Sequence, residues 1–257
     1  MKNLVLGVLL VLSARTALAS ANIFTPQHRY PDLNQMDPAF KTILGEGWPL
    51  CAPVIGGNLV AWLLDRKIAK DPAVKSLDVR GLEPWVRKFA SKDYMNTRDG
   101  HGTDGADFLK GLDKGLRDLG VKAKVATAGP AYGADPKIST LFFEARDPKT
   151  VYFLFVGFYR PSTSAPGLRR QRGHTLMVFA DPDHKGRFLA VDTSAESAGA
   201  PAEHSIEILA QSGLQFRQEN RFFKGQPGSV LELKGIATPA NLNVEKIIIE
   251  GAASYSF

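Results

Sequence analysis

The hydrophobic pattern changes period near the middle of this chain, and that change limits the fold more than any other feature. Ahead of it, Ile55, Leu59, Trp62, Leu63 and Ile68 recur at helical spacing. Phe108, Leu109, Leu112, Leu116 and Leu119 make another such stripe, with Thr103 or Asp104 placed to cap it and Gly120 to stop it. A shorter helix is predicted between them, over 82–89. After the change come "VKAKVAT", "TVYFLFVGFYR", "HTLMVFA", "GRFLAVDTS", "VLELKGI" and "VEKIIIEGAA", which alternate or run apolar as strands do. Further helices are predicted over 138–145 and over "SIEILAQSG". Helices followed by antiparallel strands predict an α+β fold of two packed lobes. No repeat, low-complexity tract or linker divides the chain, so one domain with two subdomains is expected.

The start of the chain, "MKNLVLGVLLVLSARTALA" (1–19), has Lys2, an apolar run from Leu4 to Leu12, and a small-x-small site at Ala17-Leu18-Ala19. That is the pattern of a secretory signal peptide, so an exported protein, periplasmic or extracellular, is expected. No later stretch reaches the roughly 18 apolar residues that a membrane span requires. Residues 20–46, with Pro26, Pro31 and Pro38, read as an extended arm, and 47–257 as the folded domain. Without Lys2 and Arg15 the formal net charge falls from +6 to +4. This is too mild, and the arginines too little interleaved with aromatics, to suggest nucleic-acid binding.

Cys51 is the single cysteine, which excludes an internal disulfide. A lone cysteine in an exported chain is a buried small hydrophobe, a link to another chain, or a reactive thiol. Its position favours reactivity. Pro49 and Pro53 flank it, and the helical spacing begins at Val54, so Cys51 stands at a helix N-terminus. Unpaired N–H groups there favour the thiolate, and a neighbouring imidazolium favours it further. Gly56 and Gly57 inside the same helix cost stability unless another backbone or ring lies close.

The imidazole must come from one of five histidines. His28 lies in the proline-dotted arm, His101 in a Gly-Asp loop, His184 in the polar turn "DPDHKG" and His204 in a polar stretch. His174 differs, because it opens an apolar strand directly after Gly173 and a basic loop. Across the hairpin turn, residue 174 falls roughly opposite 193. Asp192 is therefore within reach, and its carboxylate could accept the Nδ1–H bond of His174. The plainer roles are a hydrogen-bonded strand-end histidine, and an aspartate capping the Thr193-Ser194 turn.

Taken in order, these segments resemble the papain-like cysteine peptidases, and more closely their bacteriocin-processing (double-glycine) bacterial branch. "WPLCAPVIGGNLVAWLL" resembles the branch's cysteine helix. "GTDGADFLKGLDKGLRDLG" resembles its Gly-Thr segment and following helix, and "GHTLMVFA…FLAVDTS" its histidine and aspartate strands. The likeness spans 45–195. It implies a papain-like two-lobed fold, with the cysteine helix packed on an antiparallel sheet. It implies Cys51 as nucleophile, His174 as general base and acid, and Asp192 as the orienting carboxylate. The substrate would be a peptide or protein, and no cofactor or metal would be required. Where the family carries an upstream glutamine, this chain has Leu44, Gly45 and Glu46, so the oxyanion would fall to the Cys51 N–H and the Trp48 indole. A non-catalytic binding module or an acyltransferase on the same scaffold are the alternatives.

The loop "RPSTSAPGLRRQRG" (160–173) brings Arg169, Arg170 and Arg172 ahead of His174. It is a solvated loop or a rim that selects acidic substrates. Asp181, Asp183, Gly186 and Asp192 have the spacing of a calcium loop, but Lys185 occupies a ligand position and the flanks are strands.

Overall fold

The computed structural model describes residues 30–31, 33–44, 48–134, 137–144, 147–164, 166–184, 186–194, 203–223, 228–238 and 242–257, the side chains of Leu44, Trp48 and Glu203 excepted. The predicted signal peptide, the first part of the arm and His28 lie outside the described residues. The helices are α1 (Lys41–Leu44), α2 (Cys51–Asp65), α3 (Val79–Ala90) and α4 (Gly105–Asp118). The strands are β1 (Lys124–Ala128), β2 (Thr150–Pro161), β3 (Leu168–Ala180), β4 (Phe188–Val191), β5 (Glu203–Ser212), β6 (Ser229–Lys234) and β7 (Lys246–Ser256).

The α+β, papain-like two-lobed fold, with the cysteine helix on an antiparallel sheet, is not what forms. Strands β2 to β7 close into a six-stranded antiparallel barrel. Each strand pairs with the next, and β7 returns to pair with β2 on one side and with β6 on the other. The last part of β7, from Ala252, also carries β1. Two bulges shape the barrel wall. Glu250 is an extra residue in β7 opposite β2, and Gln171 is an extra residue in β3. Bulges bend a strand and sharpen its twist, which helps a sheet curl shut. Alternating hydrophobicity is the same for an open and a closed sheet, so the sequence pattern could not separate them.

Three local predictions also change. "SIEILAQSG" lies in strand β5, not in a helix, and the turn over Thr140–Phe143 is a 3-10 helix. The supposed basic loop is mostly strand, because β3 runs back to Leu168. In each case pairing with a neighbouring strand or barrel packing outweighed the local signal.

Side chains alternate across the barrel wall. Leu154, Val156, Leu176, Val178, Ile206 and Ile249 fill the interior. Phe153, Met177, Phe179 and Tyr255 face outward and join the helices in a second core. Helix α2 is buried from Ala52 to Leu63 because the barrel covers one side and α3 and α4 the other. Its glycines make this possible. A Cβ on Gly56 would stand 2.7 Å from Phe89 Cδ2, and one on Gly115 2.6 Å from Phe89 Cε1. The Phe89 ring of α3 is thus held between the backbones of α2 and α4.

Alanine is favoured over glycine in a helix by about 1 kcal/mol, whereas forcing an extra methyl into a tight core costs about 1–3 kcal/mol. Gly56→Ala should therefore lose stability, seen as a lower urea midpoint at unchanged slope. A raised midpoint would contradict the close approach of α2 and α3.

Candidate active site

Two features of the backbone prepare this site. The first is the start of α2. A 3-10 turn, Trp48–Leu50, leads directly into the helix, so Cys51 is its first residue. Leu50 occupies the cap position and offers no side-chain bond, which leaves the terminal N–H groups for other acceptors. The second is the short β4. It pairs with β3 only from Met177 to Ala180. Before Met177, β3 pairs on that side, among the described residues, only through a bridge from Leu168 to Phe216, and the chain leaving β4 runs beside His174 as Asp192, Thr193 and Ser194. Continuing the register sets Ser194, rather than residue 193, opposite His174.

The structure brings Cys51, His174 and Asp192 together. His174 Nε2 donates to Asp192 Oδ1 at 2.8 Å. The sequence suggested Nδ1 for this bond. With Nε2 taken, the other ring nitrogen is left for the Cys51 thiol, which lies close enough to His174 for each to shift the other's proton affinity. The same Asp192 oxygen accepts from the Ser194 N–H at 2.8 Å and from Ser194 Oγ at 2.7 Å. The Ala52 and Thr175 N–H groups lie near the Cys51 sulfur and also favour its anion. The Phe158 ring lies nearly parallel to the imidazole, with centroids 6.3 Å apart.

Burial and charge oppose each other here. His174 is 5% exposed and Asp192 2%, so desolvation disfavours both charges. For His174 the nearby Asp192 carboxylate, and then Cys51, overcome burial and raise the imidazole to about 10. For Asp192, burial is likewise outweighed by the His174 charge and the Ser194 bonds, which hold the carboxyl well below the usual range. For half-buried Cys51, burial alone would push the thiol up. Hydrogen bonding and charge from His174, with the two N–H groups, instead hold it below the ordinary thiol value. The three groups therefore favour a thiolate–imidazolium pair.

Residues outside the trio hold it in place. The Gln35 N–H donates to Thr193 O at 2.9 Å, and Thr193 Oγ1 donates to Gln35 Oε1 at 3.3 Å. Two residues earlier, the Leu33 N–H donates to Asn58 Oδ1 of α2 at 2.9 Å. The arm thus ties the loop after Asp192 to the helix that begins with Cys51. Gln35, the nearest glutamine upstream of Cys51, gave no sign of this in the sequence because its partner lies 158 residues away.

The other sequence candidates are placed differently. Trp48 lies in the turn before Cys51, and its side chain is outside the described residues. Arg169, Arg170 and Arg172 are strand residues of β3. Arg170 is bound to buried Glu250, a carboxylate inside the apolar run "IIIEGAA" that the sequence reading passed over. His101 bonds the Asp99 carbonyl in an exposed loop, and His204 sits on β5. His184 pairs with Asp181, and that carboxylate also accepts the Asp183 N–H and closes the hairpin turn. Among the described residues no helix is long and apolar enough to cross a membrane. Comparison with models of known protein families, with curated proteins and with solved structures finds no match, so the reading of the site rests on its geometry.

The pair should be visible in the pH dependence of Cys51 alkylation by iodoacetamide. The thiol is lowered, so labelling should already be fast near pH 7, where an ordinary thiol is mostly protonated. A second change should follow near pH 10, as the raised imidazolium loses its proton. His174→Ala leaves burial opposed only by the two N–H groups and should slow labelling at pH 7 by roughly tenfold or more. Equal rates in both proteins would contradict the pairing.

Proposed function

We propose that this chain is an exported thiol-dependent amide hydrolase, in its simplest form a cysteine peptidase acting on peptides or proteins. The observation that carries this reading is the convergence of Cys51, His174 and Asp192, with His174 bonded to Asp192 and lying close enough to Cys51 to lower its thiol. The order of the three in the chain, which resembles that of papain-like peptidases, supports the activity class. The barrel does not share the architecture implied by that resemblance, so the support is confined to the site.

The chemistry follows from the charges. The Cys51 thiolate attacks the carbonyl carbon, and the π electrons move onto oxygen. The oxyanion forms beside the start of α2, where the Cys51 N–H and the helix dipole favour negative charge. Imidazolium at His174 then gives its proton to the leaving amine as the C–N bond breaks, leaving a thioester on Cys51. Neutral His174 next takes a proton from water as the water oxygen attacks the thioester, and collapse of that intermediate releases the acid and the thiolate. Asp192 stays ionised throughout and keeps the ring in one orientation. An amine in place of water would give acyl transfer by the same steps.

Incubation of wild type with a mixed peptide digest, read by mass spectrometry, should give new amino termini. Acid quenching should trap an acyl group on the Cys51 peptide. Cys51→Ala should give neither, and His174→Ala should lower turnover by at least about a hundredfold. Cleavage by Cys51→Ala at the wild-type rate would overturn the reading. Wild-type protein that gives neither product nor acyl group would favour the non-catalytic binding module.

A further inference from the structure

A cavity of about 460 Å³ lies against the same stretch of β3, lined by Arg169, Arg170, Arg217 and Arg221 with Ser164 and Asn220. Beside its Arg170, Gly157 and Gly173 pair directly across β2 and β3. A Cβ on Gly173 would stand 2.3 Å from Arg170 Nη2, and one on Gly157 2.1 Å from Glu250 Oε1. Arg170 therefore lies flat over the backbone of Gly173, the residue before His174. Glu250, 0% exposed, holds it in that place, accepting from Nε at 2.6 Å and from Nη2 at 2.8 Å. The Tyr159 hydroxyl donates to the same carboxylate at 2.7 Å. That fork uses two of the guanidinium's five N–H donors, and Tyr159 lies close enough to engage a further one.

The rest of the lining is also positively weighted. Arg217 is paired with Glu219, which also lines the cavity, and donates to Ser162 and Ser164. Arg221 lies over the Phe222 ring at 4.5 Å, with Arg170 5.2 Å from the same ring. Arg169 is exposed and has no ion-pair partner among the described residues. Arg221 reaches across to Asp104, the cap residue of α4. The loop ahead of Asp104 touches the turn before Cys51, since a Cβ on Gly102 would lie 3.9 Å from the Pro49 carbonyl. Two of the lining arginines thus point toward the catalytic residues: Arg170 lies against Gly173, the residue before the base, and Arg221 pairs with Asp104, which follows the loop near the turn before Cys51. Planar guanidinium forks match the two oxygens of a carboxylate, and a rigid, half-buried one loses little freedom on binding it.

We propose that this cavity is the substrate subsite for a carboxylate, so that the amide cleaved lies near an acidic side chain or a free C-terminal carboxylate. The proposal rests on the hydrolase reading above, which supplies the bond to be cleaved.

The test uses three blocked amino acids as competitors while iodoacetamide alkylates Cys51 in the full chain. N-acetylglutamate α-amide offers only the side-chain carboxylate, N-acetylglutamine only the α-carboxylate, and N-acetylglutamine α-amide neither. One or both carboxylates should slow alkylation, and the neutral amide should not. Whichever protects identifies the source of the charge. Combining Arg169→Gln with Arg221→Gln should raise the concentration for half-protection by roughly tenfold. Both arginines are exposed, so the change spares the core; Arg170 is left alone because its loss would strand Glu250. Equal protection by all three compounds, protection by none, or protection unchanged in the arginine variant would overturn the subsite. A parallel titration of the same compounds, read from the Gly173 and Asn220 amide resonances, measures binding without Cys51. Shifts there with inert Cys51 would sink the hydrolase reading and keep the subsite. Fast, His174-dependent alkylation without shifts would do the reverse.

Discussion

The buried contact between His174 and Asp192 is the interaction on which the rest of the site depends. A carboxylate that is 2% exposed stays ionised only if something repays its lost hydration. Ser194 supplies two hydrogen bonds and His174 supplies a charge. The same contact fixes the imidazole's outer nitrogen and raises its basicity, so the inner one meets the sulfur as a cation. Only then does a half-buried thiol at Cys51 fall below its ordinary value instead of rising. Each group is charged because the next one is, and no member of the set would hold its state alone.

A second ion pair, half-buried Arg170 with buried Glu250, is built into the same wall by a different device. Here the space comes from absent side chains. Gly157 and Gly173 face each other across two strands and leave a floor on which a guanidinium and a carboxylate can lie. The bulges at Gln171 and Glu250 interrupt the strict alternation of β3 and β7. They let polar side chains emerge from strands that are otherwise apolar. The wall that curls the sheet into a barrel is therefore also the wall that carries the charged groups.

Helix α2 joins these parts. Its N-terminus provides Cys51, while its length is enclosed by barrel, α3 and α4. Small residues allow that enclosure, with Gly56 and Gly115 on either side of Phe89. The arm crosses from Asn58 of α2 to Thr193 beside Asp192. Nucleophile and carboxylate, separated by most of the chain, are thereby fastened to each other from outside as well as through His174.

The sequence by itself determined the local features: a helix opening at Cys51, a strong strand at 150–160, and a hairpin setting Asp192 near His174. Those follow from proline placement, hydrophobic period and turn residues, which act over a few positions. It misread "SIEILAQSG" and the stretch before His174, because pairing partners outside the segment decided both. It passed over Glu250 in "IIIEGAA", where a carboxylate amid isoleucines was itself a signal of a buried partner. Only the tertiary structure decided that the strands close into a barrel, that Nε2 rather than Nδ1 meets Asp192, and that Gln35 secures Thr193. Closure, ring orientation and contacts across 158 residues are set by register and packing between segments distant in the chain, and no local pattern encodes them.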